Sequence, residues 1–344
     1  LSQGFGRTNP RGSQLEYIDL IKGDIPQDGK NPFYGIDTSW NRVKGGQAIG
    51  KILNTVEENF NFKDPSVHIP ELLKAYQLVQ TLDNKHWKAV KTKELKAIIQ
   101  ACTGLYLEAS ANTPTASNGS EIKLNIEALN RSNTSIELVS YKISTQSGVV
   151  TKNSKLEPNA KQNFLDSIVI PLTAKYTAPY WLEDKGTLGM YKVNNRELIG
   201  LPETPRGVTI DFDLKINEIP FTFSKDMVYR YSKPDKGELY RPFEIIPEVS
   251  AHINDDVYIF ENDQQKDIAV VVKAGRDNLE GFVSMNLPDD WSAYPEMQKI
   301  TIDNKGETQT LVFTVIPPKN QSEGFIYPIV NINGKEYTKE LIEI

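Results

Sequence analysis

Asp211 and Asp213, two carboxylates one residue apart, are the spacing in this chain best suited to acid–base chemistry. On a strand, side chains two apart leave the same face, so the pair could share a proton or a cation. Ile210, Phe212 and Leu214 alternate with them toward the opposite face, which is also how an ordinary solvated strand face reads, and that reading is favoured. Asp255 with Asp256, and Asp289 with Asp290, fall in turn-like contexts where Asp bonds its own backbone. The aromatics suggest binding instead. Tyr180 and Trp181, followed by Glu183 and Asp184, combine flat apolar faces with hydrogen-bonding edges, the mixture that suits a sugar ring. The same run would equally plug the end of a sandwich or dock on a neighbouring domain. Trp291 reads as a ring covering a sandwich core.

Other chemistries lack a full set of residues. The chain has three histidines, His68, His86 and His252, and no two stand at helical ligand spacing, whereas a catalytic zinc usually takes three protein ligands. Cys102 sits in an apolar helical stripe, where a thiol behaves as a small buried hydrophobe. No G-x-S-x-G elbow presents a serine. Gly45, Gly50 and Lys51 match the skeleton of a phosphate-binding loop, but Ile52 stands where Ser or Thr must bind magnesium and no strand precedes them. They read as a helix start. Gly4 and Gly6 open a G-x-G run that meets Asn9 where a third glycine is needed.

The 344 residues exceed what one core usually supports, so two or three domains are expected. A net charge of -6 gives no electrostatic reason to seek phosphate backbones, and nucleic acid is not an expected partner. No apolar run is long enough to cross a bilayer. One cysteine excludes an intrachain disulfide and leaves the compartment open.

Hydrophobic periodicity divides the chain. From about Gly46 to Ala109 the spacing is helical, with stripes Ile49, Ile52, Leu53, Val56 and Phe60; Ile69, Leu72, Leu73, Tyr76 and Val79; and Leu95, Ile98, Ile99, Cys102, Leu105 and Tyr106. The polar stretch from Ser110 to Ser120 is the clearest boundary. Alternation follows at Ile122 to Ala128, Val208 to Ile216, Ile268 to Val272 and Leu311 to Ile316, predicting antiparallel sheets. Asn333 and Gly334 mark a hairpin. Prolines at Pro242 and Pro247 place a seam there, leaving seven or eight strands after Glu248. The stretches Tyr176 to Gly186 and Asn194 to Pro205 read as long loops. The expected fold is a multidomain α plus all-β chain, a small helical bundle followed by two immunoglobulin-like antiparallel β-sandwiches. Its divisions are a linker at 1–43, a helical module at 44–110, a sandwich with long loops at 113–244 and a terminal sandwich at 245–344.

A family likeness covers most of the chain. Ser2 to Ser13, Gly35 to Val43, Gly45 and Gly46, Ala48 to Gly50, Ile69 to Gln80, His86 and Trp87, Ala101 to Glu108, Pro179 to Leu182 and Gly237 to Pro242 carry it. Together they resemble the region following the catalytic domain in long bacterial PIG-L/LmbE-like deacetylases. Members of that family use a zinc-dependent site, signalled by His-Pro-Asp-Asp-Glu and a His-rich segment, to remove acetyl groups from N-acetylglucosamine-containing substrates. Neither signature is present, and Pro288, Asp289 and Asp290 lack the flanking His and Glu.

The resemblance therefore implies no catalytic residue and no cofactor in this chain, with zinc expected in a catalytic domain preceding Leu1. Residues 1–12, with no initiator Met and no signal core, fit that expectation as the exit from such a domain. Its implied partner is that domain, and glycan is a further expected partner through Tyr180, Trp181 and Glu183, whose residue types suggest it. Its implied location is the periplasm or cell surface. An alternative is a cell-surface protein interaction module without a glycan role, and a minor third is a hydrolase using Asp211 and Asp213.

Overall fold

The computed structural model describes residues 11–13, 15, 17–24, 27, 31, 33–261 and 264–342; the resemblance segment from Ser2 to Pro10 lies outside them. The described residues form a mostly β protein of 19 strands in several sheets, with three α-helices on the N-terminal side.

The helices are α1 (Gln47–Glu58), α2 (Ile69–Gln80) and α3 (Lys85–Thr103). A short 3-10 turn, Trp40–Arg42, leads into α1, and the two glycines at its start let Trp40 lie against the helix. A Cβ on Gly46 would stand 2.4 Å from the Trp40 carbonyl oxygen, and one on Gly50 would stand 3.0 Å from Trp40 Cβ. Gly50, the second glycine of the phosphate-loop skeleton, thus serves packing. Pro70 begins α2 where its missing amide has no helical partner, and Asn84 caps α3 by accepting from Trp87 N at 3.1 Å. Ile49, Ile69, Leu72, Val79, Leu95 and Ile99 are buried along the facing stripes.

The helical pattern ends earlier than its periodicity suggests. Gly104 takes φ 59, and Leu105 N donates to Gln100 O at 3.1 Å, closing α3 with a left-handed cap. Leu105 and Tyr106 therefore leave the helix, and Tyr106–Ala111 forms strand β1. The cause lies in an ambiguity of spacing: Leu105, Leu107 and Ala109 also satisfy a period of two, and the glycine decides between the two periods.

The next strands are β2 (Thr115–Ser117), β3 (Glu121–Leu129), β4 (Ile136–Ile143), β5 (Val149–Lys155), β6 (Gln162–Val169), β7 (Thr209–Ile216), β8 (Ile219–Asp226), β9 (Val228–Lys233), β10 (Gly237–Pro242) and β11 (Glu244–Ile246). They build a five-stranded sheet, β10-β9-β1-β3-β6, and a four-stranded sheet, β5-β4-β7-β8. Strand β11 pairs with β2 in parallel, as β1 does with β9, so pairing is mainly rather than wholly antiparallel. Both parallel pairs join segments far apart in sequence, which no local hairpin signal announces. Ile126 of the first sheet, Phe212 of the second, and Ile49 and Ile99 of the helices belong to one continuous core that runs on to Ile245. Tyr76 on α2 meets Phe221 on β8 at 4.6 Å between ring centroids, which seats the helices on the edge of the second sheet. The polar stretch after Ser110 is thus not where cores divide.

The division falls between Ile245 and Val249, where the second core begins. Its strands are β12 (Val249–Ile253), β13 (Lys266–Ala274), β14 (Leu279–Asn286), β15 (Ser292–Tyr294), β16 (Met297–Ile302), β17 (Thr308–Ile316), β18 (Tyr327–Ile332) and β19 (Lys335–Tyr337). They form two four-stranded sheets, β12-β13-β17-β15 and β16-β14-β18-β19. Asn333 and Gly334 join β18 to β19 with φ of 51 and 83, the positive values a primed hairpin turn requires.

Candidate functional site

The connection from β6 to β7, residues 170–208, is far longer than an ordinary loop, and connections of that length are usually functional. Its hydrogen bonds hold it in place. Thr177 N donates to Ile245 O at 2.7 Å and Thr177 Oγ1 accepts from Ile245 N at 2.9 Å, which ties the loop to β11. Asn118 Nδ2 donates to the carbonyls of Leu172 and Ala174, each at 2.9 Å. Arg206 Nη1 reaches Glu244 Oε1 at 3.3 Å.

Within this frame Tyr180–Leu182 makes one 3-10 turn. Tyr180 N donates to Thr204 Oγ1 at 2.8 Å, and the Tyr180 hydroxyl donates to Leu201 O at 3.2 Å. The Tyr180 and Trp181 rings meet edge to face, 4.9 Å apart. Tyr180 therefore spends its polar edge on the loop and braces the indole. Trp181, Glu183, Asp184, Lys185, Met190 and Tyr191 wall an open groove of about 630 Å³. Lys339 closes it from the C-terminal unit. Glu183 is exposed and 3.8 Å from Lys175, while Asp184 Oδ2 accepts from Asn194 Nδ2 at 2.5 Å. Of the three residues the sequence singles out, Trp181 and Glu183 face the groove and Tyr180 positions them.

A second polar cluster escapes sequence reading. Register places Glu108 of β1 directly opposite Glu127 of β3, and both are buried, at 7% and 3% exposure. Arg230 of β9 binds Glu127 with two nitrogens, Nη2 to Oε1 at 2.7 Å and Nη1 to Oε2 at 3.1 Å. The same Nη1 lies 3.0 Å from Glu108 Oε1, in an orientation that leaves this oxygen without a hydrogen bond. Tyr106 donates to Glu108 Oε2, and its oxygen lies 3.3 Å from that of Tyr240, which donates to Glu238 at 2.6 Å. Hydrogen bonds from Arg230 hold the Glu127 carboxyl below its ordinary range against the opposing effect of burial. A general acid needs the opposite shift, so the cluster is built as an ionic knot. Lys123, Asn125 and Glu127 alternate like any solvated strand face. The partner that buries Glu127 comes from a strand far along the chain.

The remaining candidates occupy quieter settings. Asp211 and Asp213 do share a face of β7. Asp211 accepts from Ser224 Oγ at 2.5 Å, and Asp213 accepts from Thr222 Oγ1 at 2.6 Å and Ser140 Oγ at 3.0 Å. His68 Nε2 accepts from Asn61 N at 2.9 Å and stacks on Phe60, and His86 meets the edge of Trp87 at 4.9 Å. His252 lies on β12. Burial pushes the Cys102 thiol up, as for a packed rather than a reactive cysteine. Trp291 corrects its expected role. It is half-buried beside a surface cleft, with its indole nitrogen donating to Ser322 Oγ at 3.1 Å, and it lies outside the second core. The following residues, Ser292–Tyr294, form a short strand at the sheet edge, which carries the ring to the rim.

No established protein family matches the chain, and no curated protein matches it. Solved structures that share some likeness include red sea bream transglutaminase, 8% identical with a TM-score of 0.31 over 72% of this chain and 31% of that one. The secreted serine protease VesC from Vibrio cholerae is 9% identical with a TM-score of 0.24, over 65% of this chain and 49% of that one. A DUF4785 family protein from Legionella pneumophila is 13% identical with a TM-score of 0.22, over 68% and 55%. The chain thus spans about a third of the first and about half of the other two. Likeness at this level assigns neither fold nor activity.

Proposed function

We propose that this chain is a noncatalytic accessory region of a PIG-L/LmbE-like, zinc-dependent deacetylase of N-acetylated sugars. In this reading a helical part and two immunoglobulin-like sandwiches position glycan for a catalytic domain outside the chain, at the cell envelope. The observation that carries the glycan role is the Trp181 groove. An indole braced by Tyr180 offers a flat apolar wall, and Glu183, Asp184 and Lys185 offer charged hydrogen-bonding groups to hydroxyls. The family reading draws support from where the resembling segments lie. The Arg42 guanidinium sits 4.1 Å over the Trp87 ring, and Trp40 packs on Gly46 and Gly50, so four of those segments form one contact group. The segments from Ala101 to Glu108 and from Gly237 to Pro242 meet at Tyr106 and Tyr240.

A glycan array probed with this chain tests the proposal. Binding to N-acetylated glycans is expected, weakened by at least tenfold in Trp181→Ala and severalfold in Glu183→Gln, consistent with an aromatic contact of roughly 1.5 kcal/mol. Stoichiometric zinc together with deacetylase turnover by the chain alone would sink the accessory role. A protein interaction module is favoured by one observation: Leu182, Leu188, Met190 and Tyr191 on the same loop are all exposed. Glycan-silent arrays combined with a partner retained through Leu188 would establish that reading instead.

A further inference from the structure

We infer that the C-terminal unit carries a saccharide site of its own, in the cleft beside Trp291, and that its ligand is an uncharged chain of pyranose rings. The cleft encloses about 550 Å³, within the range of small-molecule sites. Its lining combines two chemistries. It presents the half-buried rings of Tyr258, Phe260 and Trp291 together with the exposed side chains of Asn320, Gln321 and Ser322. A pyranose carries the matching pair of surfaces, C–H groups over its faces and hydroxyls around its rim. Lys319 and Glu323 contribute one charge of each sign, so the lining has no excess charge to select an ionic ligand.

The site is shaped before any ligand arrives. Phe260 meets Trp291 edge to face at 4.9 Å and 86°, and the bond to Ser322 fixes the indole in its plane. With its N–H so committed, the ring offers a ligand its surface rather than a hydrogen bond. Pro288, Pro317 and Pro318 line the cleft with fixed φ angles. The polar loop lies directly on Pro288 at Gly324, where a Cβ would come within 2.5 Å of the proline Cγ. Such preorganisation lowers the ordering cost of binding. The cleft also adjoins the Trp181 groove: Lys185, on the groove wall, lies 6.0 Å from the centroid of Phe325, the residue after Gly324. Every residue lining the Trp291 cleft belongs to the C-terminal unit.

Calorimetric titration of the intact chain with cellohexaose and with chitohexaose, both neutral probes, tests it. At least one is expected to bind. Trp291→Ala should weaken that binding by tenfold or more, and Trp291→Phe should restore most of it. Asn320→Ala combined with Gln321→Ala changes only exposed loop side chains, and is expected to weaken binding without moving the melting temperature. Trp181→Ala separates the two sites. If Trp181→Ala leaves binding intact while Trp291→Ala removes it, the Trp181 groove fails and this site stands. If Trp291→Ala costs nothing in either background, if neither hexasaccharide binds, or if decaproline occupies the cleft in their place, the inference is overturned.

Discussion

Arg230 neutralises carboxylates that would otherwise face each other without water. With Glu108 and Glu127 both buried and opposed across two strands, the guanidinium is the main group that makes their burial tolerable, with the Lys161 ammonium 3.5 Å from Glu127 assisting. Removing one partner of such a pair is expected to cost about 3 kcal/mol or more, because the charges left behind lose their compensation. Arg230→Met should therefore lower the denaturant midpoint at neutral pH, and Glu127→Gln combined with Arg230→Met should recover part of the loss. The pH dependence follows in sign. Glu127, held below its ordinary range chiefly by Arg230, releases its proton more readily folded than unfolded. It stabilises the fold above the unfolded pKa, and that contribution fades as pH falls through the folded value. Thermal melts between about pH 6 and 3 should show a shallower acid loss in Glu127→Gln than in the unaltered chain; an identical slope would remove Glu127 from the account. None of this was legible in the sequence, where Glu127 alternates with Lys123 and Asn125 as a solvated residue would. The closeness of Trp181 and Glu183 was legible because it is local, two residues apart along the chain. The cleft at Trp291 was not, since its walls come from three separated segments.

Among elements, the helices and the regular strands announce themselves through spacing, and their ends are set by single residues. The buried alternation of Ile210, Phe212, Leu214 and Ile216 on β7, and of Ile268, Val270 and Val272 on β13, needs nothing beyond period two to be recognised. The hairpin at Asn333 and Gly334 is equally local. Where two periods fit, as from Leu105 to Ala109, local pattern cannot choose, and Gly104 does so by closing α3 in the left-handed region. Gly104→Ala should show it. The new Cβ would enter at φ 59 and 2.9 Å from Arg131 Cβ, so both backbone strain and a contact with the connection between β3 and β4 oppose it. A loss of about 1 kcal/mol or more is expected by urea denaturation. A neutral result would mean that α3 ends for reasons of tertiary packing. Parallel pairings such as β1 with β9 and β2 with β11 remain invisible to this kind of reading, because nothing near either strand encodes its partner.

The described residues form two cores, and polar contacts from Lys305 join them. Lys305, on the turn between β16 and β17, donates to Thr113 Oγ1 at 3.1 Å and to the Thr115 carbonyl, while its own backbone N is held by Asp277 at 2.8 Å. Burial pushes the Lys305 ammonium down, and Asp277 opposes that shift. On the same side of the seam as Lys305, Glu248 accepts from Arg276 Nε at 2.5 Å and from the Tyr337 hydroxyl, which fixes the chain as it enters β12. A Cβ on Gly275 would fall 2.1 Å from Pro247 O, so the β13–β14 turn lies directly on the connecting segment. Two separate cores linked this way should unfold together only while the link survives. Lys305→Met keeps the stem of the side chain and removes its donors. It is expected to split a single calorimetric transition into two and to speed proteolytic cleavage between Phe243 and Glu248, leaving the midpoint of the more stable unit unchanged. If the transition stays single and the cleavage rate does not move, the connection itself holds the units together, and the Lys305 contacts merely accompany it.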